Sequence, residues 1–183
     1  MLQRSVITTA RSALARGVRL APTVRAAGLK TVKDSPQYSA KATSKGSRAN
    51  GVAKLDEADL ELKMRLPKSL GGQGGGNNPE ELFALGYSTC FLSALGAAYK
   101  EKFGTVTGKP FSEEAAVKAE VIIGNATDQP GFRLAVNLKV PYDSLKQSGL
   151  DKDQAKELIK EAHKLCPYSR ALKGNVETTI DLV

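Results

Sequence analysis

From Phe132 to Val140 the chain alternates strictly. Phe132, Leu134, Val136, Leu138 and Val140 are apolar, and the residues between them are polar or small. A period of two sends successive side chains to opposite faces of an extended backbone, so this segment is predicted to be a half-buried strand. "AAVKAEVII" (115–123) and "VETTIDLV" (176–183) read the same way, with β-branched residues on the alternating positions. Nearer the start, Tyr38–Thr43 and Leu60–Leu66 alternate more loosely and are predicted as strands, with a turn at Asn50-Gly51. The period changes in "DKDQAKELIKEAHKLCPYS", where Leu158, Ile159, Ala162 and Leu165 form one helical stripe. Asp151 is its expected cap and Pro167 its stop, which puts Cys166 at the last turn.

One segment shows neither period. Asn78, Pro79 and Glu81 form a capping-box signature with proline at the first helical position. The 18 residues from Leu82 to Tyr99 that follow carry no charge. That length reaches the lower limit of a membrane span. Gly86, Ser88, Thr89, Ser93 and Gly96 dilute it, however, and no second span follows. A helix apolar on all sides is otherwise a buried one, and in a chain this small full burial calls for a second subunit over part of it. No membrane span is expected. With strands, a long helix, strands, a helix and a strand, the fold class is α+β.

Composition changes this picture only at one end. The net charge of +8 suggests an affinity for phosphates, but residues 1–33 hold seven basic residues and no acidic one. The remainder carries 20 basic against 19 acidic residues. A near-neutral body gives no electrostatic case for nucleic acid. The leader is rich in Arg, Ser, Thr and Ala, and Arg4, Arg11 and Arg19 share one side of a helix. This is the composition of a mitochondrial presequence. Residues 1–35 are therefore expected to be cleaved on import into the matrix, leaving 36–183 as a single domain. The glycine-rich stretch "GGQGGGNN" (71–78) fits neither phosphate-binding spacing and reads as a hinge before the long helix.

The chemistry rests on two cysteines, Cys90 in the uncharged helix and Cys166, 76 positions later. That spacing excludes a CxxC motif, and His163, the only histidine, leaves no expected metal site. By composition alone each thiol reads as a small apolar residue of the interior. Burial raises a thiol's pKa, so a reactive Cys90 needs a positive partner from elsewhere in the fold.

Two blocks alter that reading. "NPEELFALGYSTCF" and "CPYSRALKGNVETTIDL" strongly resemble the organic hydroperoxide resistance (Ohr) proteins of the OsmC-like superfamily. A weaker block, "YSAKATSKGSRANG", is similar to that family's first hairpin, so the resemblance covers residues 36–183. It implies antiparallel sheets around a long buried central helix, in an intertwined homodimer. It also implies a thiol peroxidase in which Cys90 is peroxidatic and Cys166 resolving, with an intramolecular Cys90–Cys166 disulfide as intermediate. Glu80 matches the family's active-site glutamate, and Arg48, on the shorter "GSR" similarity, its arginine. Leu82, Phe83, Leu85 and Phe91 are the candidate walls for the substrate's alkyl group. The implied substrates are organic hydroperoxides, without any cofactor, and the implied reductants are lipoylated proteins or dihydrolipoamide. The leader and the segments around 104–114 and 141–152 depart from the family pattern. The rival readings are an OsmC-type peroxidase of broader specificity and a non-catalytic module that binds hydrophobic ligands.

Overall fold

A computed structural model describes residues 37–183, and Ala40–Val183 form one compact unit. The expected presequence lies outside the described residues. Two three-stranded sheets and five helices make up the unit. The first sheet is an antiparallel meander of β1 (Ala42–Gly46), β2 (Asn50–Leu55) and β3 (Glu61–Arg65). Asn50 and Gly51, expected to turn, are inside β2, where Gly51 pairs with Gly46 and Met64. The hairpin reverses instead at Ser47–Ala49, after Gly46 adopts a positive φ of 84°, a conformation that glycine takes without steric cost. Side chains of this sheet are mostly exposed, and only Gly51 and Met64 are buried.

The Gly-rich loop leads into α1 (Pro79–Lys102). The expected capping box is present. The Asn78 side chain accepts from the Glu81 N–H at 3.0 Å, and the Glu81 carboxylate accepts from the Asn78 N–H at 3.1 Å. After α2 (Gly104–Thr107) come β4 (Lys118–Asn125) and β5 (Phe132–Val140), antiparallel with Val121 opposite Val136. Helices α3 (Tyr142–Leu145), α4 (Lys152–Leu165) and α5 (Pro167–Leu172) then cross to β6 (Glu177–Leu182). Within the expected α+β fold one pairing departs from the antiparallel pattern: β6 runs parallel to β5. A helical crossover of this length is what a parallel neighbour requires.

The core lies between the second sheet, α1 and α4. Tyr87, Phe91, Leu95 and Ala98 of α1 meet Val136, Leu138 and Val140 of β5 and Ala155, Leu158 and Ala162 of α4. Fully burying one such leucine or valine contributes about 1.5–3 kcal/mol. Among the described residues α1 is the one helix long and apolar enough to cross a membrane, and one of its faces is committed to this core. The expected burial on all sides is not met within one chain. Leu85 is 63% exposed, and Thr89, Ser93 and Ala97 continue an exposed stripe at four-residue steps.

Candidate active site

Cys90 sits midway along α1, one turn beyond the buried Tyr87. Cys166 is the hinge between two helices. Its N–H bonds to Ala162 O at 2.8 Å and ends α4, and its carbonyl accepts from the Arg170 N–H at 3.0 Å and opens α5. Pro167 therefore does more than stop a helix, because it occupies the first position of the next, where its missing N–H costs nothing. The fold brings the two sulfurs to 3.1 Å, both as free thiols. Cys166 is fully buried and Cys90 partly so.

This setting holds Cys90 in its protonated form. Burial is the main cause, the neighbouring Cys166 adds to it, and together they push the thiol up to about 11. One group opposes them: the Tyr168 backbone N–H, in the first turn of α5, favours the thiolate. His163 is not among the groups acting on Cys90; it lies on α4 with its Nδ1 buried and unpartnered, and burial lowers its pKa.

Arg48 occupies the tip of the β1–β2 turn, and its guanidinium pairs with the Glu80 carboxylate at the start of α1. The hydrogen bond between them is the largest cause that raises the arginine's pKa and lowers the glutamate's. The expected guanidinium–carboxylate partnership is thus present. The expected guanidinium–thiol contact within one chain is not, since Arg48 is absent from the groups that shift Cys90. Helix geometry explains this. Glu80 precedes Cys90 by ten residues on one helix, an axial offset of about 15 Å. Two other arginines of the described residues are engaged elsewhere: Arg65 donates to the Gly51 and Met64 carbonyls, and Arg133 pairs with Asp128.

The four expected wall residues do not form one wall. Phe91 is buried in the core, Leu85 faces outward, Leu82 is half-buried, and Phe83 stacks on Tyr168 with ring centroids 5.9 Å apart. Leu82 and Leu85 are one turn apart on the same face of α1, whereas Phe83 and Phe91 point about 100° and 180° away from Leu82. A cleft of about 380 Å³ lies instead beside Glu80, lined by Pro67, Leu70, Ala84, Val121 and Ile123. Among the described residues no His, Cys, Asp and Glu cluster could hold a metal ion. By sequence Tyr87 and Tyr168 read as packing residues, and Ser169 carries no role. Yet Tyr87 Oη and Ser169 Oγ share a buried hydrogen bond of 2.9 Å beside the thiols. The signal available for Ser169 was its place in "CPYS".

The arrangement places two free thiols within reach of each other. A family model described as OsmC-like protein matches residues 72–181. The organic hydroperoxide resistance protein of Xanthomonas axonopodis pv. citri is 36% identical over 146 residues, covering 79% of this chain and 94% of its own. The crystal structure of the organic hydroperoxide resistance protein OhrB of Bacillus subtilis superposes with a TM-score of 0.67 at 32% identity, covering 80% of this chain and 98% of that one. That of an organic hydroperoxide resistance protein from Elizabethkingia anophelis gives 0.65 at 39% identity, covering 85% and 100%. These comparisons correct one expectation. The named relatives are bacterial organic hydroperoxide resistance proteins, and nothing in them supports a mitochondrial matrix location.

Proposed function

The chain belongs to the OsmC-like family and groups within it with the organic hydroperoxide resistance proteins, and on that premise we propose that it is a thiol peroxidase reducing organic hydroperoxides to alcohols. The 3.1 Å approach of Cys90 and Cys166 carries this reading. The Cys90 thiolate attacks the terminal oxygen of ROOH, the O–O bond breaks, and the alkoxide takes a proton from solvent to leave as ROH, with Cys90 as a sulfenic acid. The Cys166 thiol then displaces the hydroxyl, forming the S–S bond and releasing water. A dithiol of the dihydrolipoamide type takes the oxidising equivalents by exchange and returns both thiols.

The first step needs a positive charge at Cys90. A permanent guanidinium in a poorly solvated site stabilises both the thiolate and the charge developing on the leaving oxygen. Because the Arg48–Glu80 pair of the same chain is about 15 Å along α1 from Cys90, this reading assigns that role to the pair of a second copy. The exposed α1 stripe around Leu85 and the uncovered β1–β3 sheet are the surfaces a homodimer would bury. The cleft next to Glu80, with Leu70, Ala84, Val121 and Ile123 on its walls beside polar Ser69, Asn78 and Glu81, then takes the alkyl group. Residues 36–183 make up the peroxidase domain in this proposal.

The test is turnover of cumene hydroperoxide with dihydrolipoamide and, separately, with thioredoxin as electron donor. The proposal expects consumption with dihydrolipoamide and its loss in Cys90→Ser. A protein that binds the hydroperoxide and leaves it intact would instead be a hydrophobic-ligand module.

A further inference from the structure

The two cysteines are not held together by their own chemistry, because free thiols 3.1 Å apart attract each other only weakly. Something else must keep their helices in register. Tyr87 lies three residues before Cys90 on α1, and Ser169 lies three residues after Cys166 on α5. Their hydroxyls meet at 2.9 Å, and both residues are buried. Helix α5 has only six residues and no side-chain cap at its start, so it depends on such ties for its position. The Tyr87 ring is fixed in turn by Phe83 and Tyr168, with centroids 5.9 and 5.8 Å away. Gly86 lets Tyr168 lie that close, since a Cβ there would stand 3.0 Å from the Tyr168 hydroxyl.

We propose that the buried Tyr87–Ser169 hydrogen bond is a positioning staple for the resolving step, holding Cys166 within reach of Cys90 so that sulfenic acid is captured before it is oxidised further. This rests on the peroxidase reading. The step it governs is Cys90–SOH plus Cys166–SH going to the disulfide plus water. Loss of the staple does not touch the attack on the hydroperoxide, but it lets Cys166 drift. Misplacing a reacting group by even 1 Å can cost up to about a hundredfold, and a single lost tether among several is expected to cost about tenfold.

The experiment compares wild type with Tyr87→Phe, Ser169→Ala and the double variant. Tyr87→Phe keeps the ring and removes one oxygen, and thermal melting confirms that each variant is folded. Sulfenic acid formation is followed by stopped-flow mixing with cumene hydroperoxide, disulfide formation by quenched intact-mass analysis, and sulfinic acid by the same spectra. The expected result is a first step within about twofold of wild type and disulfide formation slowed about tenfold. More sulfinic acid should accumulate at equal dose, and the double variant should be no worse than either single one. A second measurement needs no hydroperoxide: equilibration with a dithiothreitol redox buffer should shift the Cys90–Cys166 potential by about 30 mV per tenfold lost. Unchanged disulfide formation and potential in the variants would overturn the staple, as would equal slowing of both steps. A wild-type protein that forms no sulfenic acid would overturn the peroxidase reading, and the potential shift alone would then decide for or against the staple.

Discussion

Removing the guanidinium at position 48 gives the most quantitative test of how Cys90 is activated. In the single chain, burial and the Cys166 thiol push Cys90 up to about 11, which leaves a thiolate fraction of about 10⁻⁴ at pH 7. A guanidinium about 4 Å from the sulfur at an effective dielectric of about 20 contributes about 4 kcal/mol. Each pKa unit corresponds to about 1.4 kcal/mol, so the full effect is about three units. Arg48 keeps 40% of its side-chain surface exposed, and solvent screening reduces the effect to about two or three units. Arg48→Ala should therefore lower the rate of Cys90 alkylation by iodoacetamide at pH 7 by about a hundred- to a thousandfold. The assay uses a Cys166→Ser background, so that Cys90 is the one thiol followed, and reads intact mass against time from acid to alkaline pH. The sign is fixed: the positive charge favours the thiolate, so its removal moves the midpoint of the rate profile upward. Coincident profiles for the two proteins would refute the assignment of Arg48 to Cys90.

Three further outcomes follow from the same structure. Protonation of Glu80 releases its hold on Arg48; since the pair depresses the Glu80 pKa, hydroperoxide turnover should persist through the ordinary carboxylate range and fall only below it. In Glu80→Gln that acid limb should be absent from the pH–rate profile, with lower activity throughout. Leu85→Glu adds charge to the exposed α1 stripe, and sedimentation equilibrium should shift from a dimer towards the 19.4 kDa monomer with loss of turnover; a monomeric wild type of full activity would contradict the two-chain site. Leu158→Ala empties a fully buried core position and should destabilise the fold by about 2–5 kcal/mol in urea unfolding.

How much of this was legible in the sequence depends on which forces act locally. The bounds of the strand Phe132–Val140 were readable, because Val136, Leu138 and Val140 on one face are buried and Arg133 and Lys139 on the other are wet, although Phe132 at its start is exposed. Both long helices announced their starts, through a capping box at Asn78 and a cap at Asp151, and the fold uses both, adding Gln154 to complete a second box. The start of strand β2 reads as a turn because "NGVAKL" opens on turn-forming residues and has exposed faces, so no burial pattern marks it. The difference matters, since the true reversal at Ser47–Ala49 is what puts Arg48 at a hairpin tip facing Glu80. The parallel placement of β6 is a tertiary choice that no local period encodes. Motif resemblance pointed to both cysteines, and their approach to 3.1 Å is long-range packing that only the fold displays. The four candidate wall residues are spread around α1, with Leu82 and Leu85 on one side and Phe83 and Phe91 turned away from them, while the cleft beside Glu80 draws on β4 and the loop before α1.

Whether the two cysteines act together is decided by titrating the reduced protein with cumene hydroperoxide and counting thiols, with peptide mapping of the product. One equivalent of hydroperoxide should remove both thiols of each chain and yield a single Cys90–Cys166 cross-linked peptide within the same chain. Two thiols surviving stoichiometric hydroperoxide, or a disulfide that joins separate chains, would contradict this pairing.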